Sequence, residues 1–159
     1  MSDLPLWAKK SLDLYLKEKG RLSDDQMAEI KRVRTAEGGG WAGHFVDAGC
    51  ISENELLQLI VEETNLPYFQ LMHFNPSDAV VQEFTRDFLT TFECFPVDRI
   101  GPVLTLATPN PFQSELFTVH GRGPQEIYLM LCRVSEWREC MRRTFEAADS
   151  LAAEGVFTT

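Results

Sequence analysis

Few residues of this 159-residue chain could act on a ligand, and most of them gather where a helix would end. Lys31, Arg32 and Arg34 place their cations in the run KRVR, and Trp41 and Phe45 follow closely, ahead of Gly49 and Ile51. A guanidinium pairs with phosphate in bidentate fashion and stacks on aromatic rings, so this mixture suits a planar anionic ligand. The same cations also complement the negative end of a helix and need no ligand there. Gly38-Gly39-Gly40 lies between the two groups. With no lysine after it and no strand before it, this run reads as a linker, and no G-x-x-x-x-G-K-[ST] phosphate loop occurs in the sequence.

Catalytic chemistry finds less support. His44, His73 and His120 stand apart, without the neighbouring ligands that zinc requires, and read as structural histidines. H-E-x-x-H, G-x-S-x-G and C-x-x-C are all missing from the sequence. Cys50, Cys94 and Cys132 sit inside apolar runs, where a free thiol behaves as a small hydrophobe. Glu53, Glu55, Glu62 and Glu63 are spaced for capping and solvation of a helix, not as an acid/base pair. The expectation is therefore a protein that is not an enzyme and carries no cofactor and no metal. A net charge of −9, from 15 bases and 24 acids, argues against non-specific binding to nucleic acid or anionic membrane. No stretch reaches the roughly 20 apolar residues of a membrane span, and the first residues do not form a signal peptide, so a cytoplasmic chain is expected.

The elements that would carry these residues repeat. Gly20 and Gly49 are twenty-nine positions apart, and the same offset superimposes Leu16 on Phe45, Leu22 on Ile51, Ser23 on Ser52 and Met27 on Leu56. Ile30 falls on Leu59. Each copy predicts a helix, a glycine stop, an apolar pin, a capping serine and a second helix. The expected link between copies is residues 35–40. Beyond residue 64 the pattern changes. Strands are predicted at residues 66–71 (LPYFQL), 92–99, 103–108 and 126–133, with short helices near residues 78–86 and 112–119. A last helix is capped by Ser135 and turns Trp137, Cys140, Met141, Phe145 and Ala148 inward, with Arg138, Arg142 and Arg143 outward. The fold class is α+β: two repeated helical hairpins at residues 1–64, then strand–helix–strand–strand–helix–strand–helix at 65–150, and a frayed tail at 151–159.

The doubled glycine-stopped hairpin, LPYFQL, the strand break ATPNPF and the closing RVSEWRECMRRTF helix, in that order, resemble the N-terminal domain of type II secretion and type IV pilus assembly ATPases. The resemblance runs from Leu12 to about Phe145. It implies an accessory module without the ATPase core, either free-standing or excised, that docks on an inner-membrane platform protein or a motor component. The chain would then reach the membrane only through that partner. A branch of this family binds cyclic di-GMP through twin repeats that open on Arg-Leu-Gly and close on Gln. Here the second copy keeps Phe45, Gly49, Ile51, Leu56 and Ile60, but has Gly40 for the arginine, Ala42 for the glycine and Glu63 for the glutamine. The first has Ser11 and Asp13 at its opening, Lys31 at a late leucine and Arg34 at its glutamine. Cyclic di-GMP is thus the alternative ligand, with Lys31, Arg32, Arg34, Trp41, Phe45, Gly49 and Ile51 as its candidate contacts.

Overall fold

A computed structural model describes residues 4–146; the tail expected at 151–159, and Ala148, lie outside the described residues. A 3-10 turn, Leu6–Lys9, leads into α1 (Leu12–Glu18), whose Leu12, Tyr15 and Leu16 are all buried. Gly20 stops it with φ of 71°. The Gly20 N–H donates to the Lys17 carbonyl and the Arg21 N–H reaches back to that of Leu16. At the second stop, Gly49 has φ of 77°, its N–H donates to the Val46 carbonyl, and the Cys50 N–H reaches that of Phe45. Bond for bond, the two turns are the same glycine-terminated cap. The serines match as well: Ser23 Oγ accepts from the Gln26 N–H and Ser52 Oγ from the Glu55 N–H, each at 3.1 Å, opening α2 (Asp24–Glu37) and α4 (Glu53–Thr64). Leu22 and Ile51 are buried beneath the turns.

Two details of the repeat differ from expectation. α2 runs on to Glu37, so the link to α3 (Trp41–Asp47) shrinks to Gly38–Gly40. Late in the second copy the buried residue is Ile60, while Leu59 is half-buried and its carbonyl accepts the Tyr15 hydroxyl at 3.1 Å. The helical cluster formed by Leu12, Leu16, Phe45, Leu56 and Ile60 is completed from later in the chain by Phe112, Leu131 and Val134. Each such fully buried side chain contributes about 2 kcal/mol by leaving water.

After α5 (Asp78–Val81) and α6 (Arg86–Thr91) comes a three-stranded sheet in the order β1 (Phe95–Ile100), β2 (Val103–Thr108), β3 (Ile127–Leu131). The β1–β2 pair is antiparallel, with a register shift between Pro96 and Asp98 where proline offers no N–H. The β2–β3 pair is parallel and so needs a crossover. That crossover holds 3-10 turns, Ser114–Gly121 and Pro124–Glu126, in place of the helix predicted over 112–119; Thr118, Val119 and His120 leave helical geometry. Residues 66–71 supply only one parallel bridge, Tyr68 to Leu131, because Pro67 lacks a donor and the chain turns away at Leu71–His73. The helix predicted last, α7 (Val134–Met141), starts two residues earlier than a cap at Ser135 implied. Arg133 is its first cap, with its N–H bonded to Glu136 Oε1 at 2.8 Å.

One face of the sheet, carrying Leu104, Leu106, Ile127, Leu129 and Leu131, is buried. The opposite face carries Val103, Thr105, Tyr128 and Met130 and stays partly open. No helix among the described residues is long and apolar enough to cross a membrane.

Candidate functional site

The seven residues singled out from the sequence separate in space. Lys31 and Arg32 are exposed on α2, and Arg32 is engaged by Glu29 through bonds of 2.6 and 3.2 Å. Phe45 and Ile51 lie in the core, and Gly49 forms the exposed turn. Arg34 and Trp41 do come together. The Arg34 guanidinium lies 4.4 Å from the centre of the Trp41 ring, its Nε donates to the Gly39 carbonyl, and Trp41 stacks on Phe45 at 5.4 Å. This pair lines a cleft of about 280 Å³ with Lys9, Lys10, Ser11, Phe92 and Gln113. Lys10 already faces Glu63 at 3.7 Å.

Beside that cleft lies a residue that sequence reasoning missed. Glu93 is 3% exposed and left-handed, with φ of 46°. Its carboxylate accepts the N–H of Ala42 at 2.9 Å and that of Gly43 at 2.8 Å, closing the first turn of α3 from fifty residues away. Burial pushes its carboxyl pKa above the ordinary range; the two N–H bonds and the Arg138 charge oppose that shift. Gly40 and Gly43 make room for it. A Cβ on Gly40 would overlap the carboxylate, and one on Gly43 would crowd Arg138. Arg138 grips the other end of α3 through two 2.8 Å bonds to Asp47, and this holds the Asp47 carboxyl below its usual range. Glu53 accepts from the N–H and hydroxyl of Ser135, and Asn54 from Arg133, so α4 is tied to α7 as well. The second hairpin is thereby clamped by polar bonds to α7 and to the segment that precedes β1. A positive-φ residue preceding a strand was the one available signal, and sequence alone does not reveal φ.

On another side of the sheet lies a different kind of site. A groove of about 660 Å³ runs from the open face over the edge of β3 toward Pro5, Trp7, Leu66 and Pro67. Among the described residues, no charged side chain lines it. Ile100 is 73% exposed and Tyr128 65%. The histidines fall outside both sites: His44 bonds the Gly38 carbonyl, His120 lies against Phe84, and His73 is exposed. No cluster of potential metal ligands occurs among the described residues. Burial raises the thiol pKa values of Cys94, Cys132 and Cys140, the last to about 11, so these thiols stay protonated and inert near neutral pH.

Residues 64–151, more than half of the chain and containing the whole sheet, match the MshEN domain. The chain belongs to the MshEN domain family. Solved structures share the fold of this MshEN member. The N-terminal domain of XpsE in one crystal form superposes with a TM-score of 0.58 at 23% identity, covering 90% of this chain and 98% of that one. A second crystal form of that domain gives 0.53 at 20% identity, with 84% and 97% covered. A structure of MshE with cdg gives 0.50 at 18% identity, with 84% and 98% covered. At such identities the likeness concerns the fold. No protein with a curated description matches this sequence.

Proposed function

We propose that this MshEN domain is a non-catalytic docking module for a type II secretion or type IV pilus apparatus, acting in the cytoplasm. The observation that carries the reading is the uncharged groove of about 660 Å³, rimmed by the exposed Ile100 and Tyr128, on a fold shared with the N-terminal domain of XpsE. An exposed apolar patch of this kind is characteristic of a surface that meets another protein. Its partner is an inner-membrane platform protein or a motor subunit of that apparatus. In this reading residues 1–64 form a helical unit clamped to an α/β unit at 65–150, and the second carries the docking surface. Mixing the purified chain with the cytoplasmic parts of such components should give a complex that Ile100→Asp and Tyr128→Asp abolish. Unchanged binding by both variants would remove the groove from the mechanism.

A second reading is binding of cyclic di-GMP, favoured by the Arg34–Trp41 stack at its cleft and by the MshE structure with cdg. Against it stand Glu63 at the cleft's cations and the Glu93 carboxylate at the start of α3, where a phosphate would meet an anion already in place. Calorimetry with cyclic di-GMP tests it. The docking reading expects no heat at high micromolar ligand, and saturable heat lost in Arg34→Ala would establish the nucleotide.

A further inference from the structure

We infer that the docking surface works by strand addition: an extended segment of a partner protein pairs with the free edge of β3, at Leu129 and Ile127. The inference rests on the docking reading above and specifies how that partner is held.

The direction of the β3 backbone carries it. The Leu131 N–H donates to the Pro67 carbonyl at 2.8 Å, and the Leu131 carbonyl accepts the Phe69 N–H at 2.7 Å. Both groups of Leu131 therefore point away from β2. Main-chain groups two residues apart on a strand point the same way, so those of Leu129 and Ile127 face this edge too. The Ile127 N–H turns back to the Pro124 carbonyl. Among the described residues, the Leu129 N–H, the Leu129 carbonyl and the Ile127 carbonyl have no main-chain partner. Leu129 is only 4% exposed, and its edge lies in the uncharged groove. A main-chain N–H in such a place needs a partner, and so few unpaired positions along one edge ask for a short extended chain, not a helix.

The remaining chemistry narrows the occupant. Val103, Thr105, Tyr128 and Met130 on the adjoining face would receive every second side chain of the added strand, so that strand should alternate apolar residues. Asp98 is paired with Thr105, and Glu126 precedes Ile127, so two acids adjoin residues that line the groove. The nearby Arg99 and Arg122 are both drawn to Glu83. With a chain charge of −9 in addition, the partner segment should carry basic flanks. A second copy of the chain is a poorer occupant. The Leu131 end of the edge is already closed by residues 67–69, and like charge opposes self-association.

The test is a selection of displayed random peptides on the full chain, followed by amide hydrogen exchange with the selected peptides. Enriched sequences should alternate apolar and polar residues between basic ends. Bound peptide should slow exchange of the Leu129 amide by at least about tenfold. Backbone N-methylation at alternate peptide residues should abolish binding, since it removes donors and leaves side chains in place. Apolar spacing of three and four, undiminished binding after N-methylation, an unprotected Leu129 amide, or no enrichment would each overturn strand addition. A stable complex with a secretion or pilus component but an unprotected Leu129 amide would leave docking standing and remove only this mode. Failure of every such complex would count against docking itself.

Discussion

In the first hairpin, α1 starts at Ser11, whose side chain makes no capping bond, and α2 turns most of its surface to solvent. In the second, α3 starts against the buried carboxylate of Glu93, and α4 is tethered to α7 through Glu53 and Asn54. Turns and serine caps are alike, so the duplication alone does not decide what each copy does. The difference lies in contacts from the second half of the chain. One copy keeps its helix start beside an open cleft, while the other has its start occupied by an internal carboxylate and serves as the joint to α7.

Removing that carboxylate should have the largest effect. Glu93→Ala leaves two buried N–H groups without acceptors, and should cost about 3 kcal/mol in urea unfolding. Amide exchange should then quicken at Ala42 and Gly43 while α1 and α2 keep their protection. Equal losses in both hairpins would break the comparison. Gly40→Ala, which drives a Cβ into the Glu93 carboxylate, should cost roughly 2 kcal/mol. Gly20→Ala and Gly49→Ala meet open space but a left-handed backbone, and should cost about 1 kcal/mol each, equally in the two copies.

The ends of α3 should also respond oppositely to pH. Glu93 has a folded pKa raised by burial, so its contribution is full below the ordinary carboxylate value and declines as pH rises through the raised folded value. Urea titrations at a series of pH values should show that decline in the wild type and lose it in Glu93→Gln. Asp47 has a folded pKa lowered by its bond to Arg138, so its contribution is present above the unfolded value and lost as pH falls through the folded one. Because Asp47 is 57% exposed and screened, Asp47→Asn should cost less than about 1 kcal/mol.

Legibility in the sequence followed the range of the interactions. Gly20, Gly49, Ser23 and Ser52 declare themselves because each acts within a few residues, and β2 was readable from its period-two alternation. The fold class followed from these local signals. Residues 66–71 looked like a strand by composition, yet their pairing depends on a partner edge that only Leu131 supplies. Ser135 looked like a cap, but its hydroxyl is taken by Glu53 from another helix. Arg34 and Trp41 were foreseeable neighbours across a short link. Nothing in the local sequence marks Glu93, a glutamate whose importance lies wholly in residues fifty positions earlier.

That separation has a consequence for biosynthesis. While the ribosome is still making residues before Glu93, the second hairpin can form its glycine turn but not the finished start of α3. The amides of Ala42 and Gly43 must wait, hydrated, for a side chain not yet translated, and Asp47 waits longer for Arg138. Half-made chains should therefore carry a second hairpin that stays loose until α7 has left the exit tunnel.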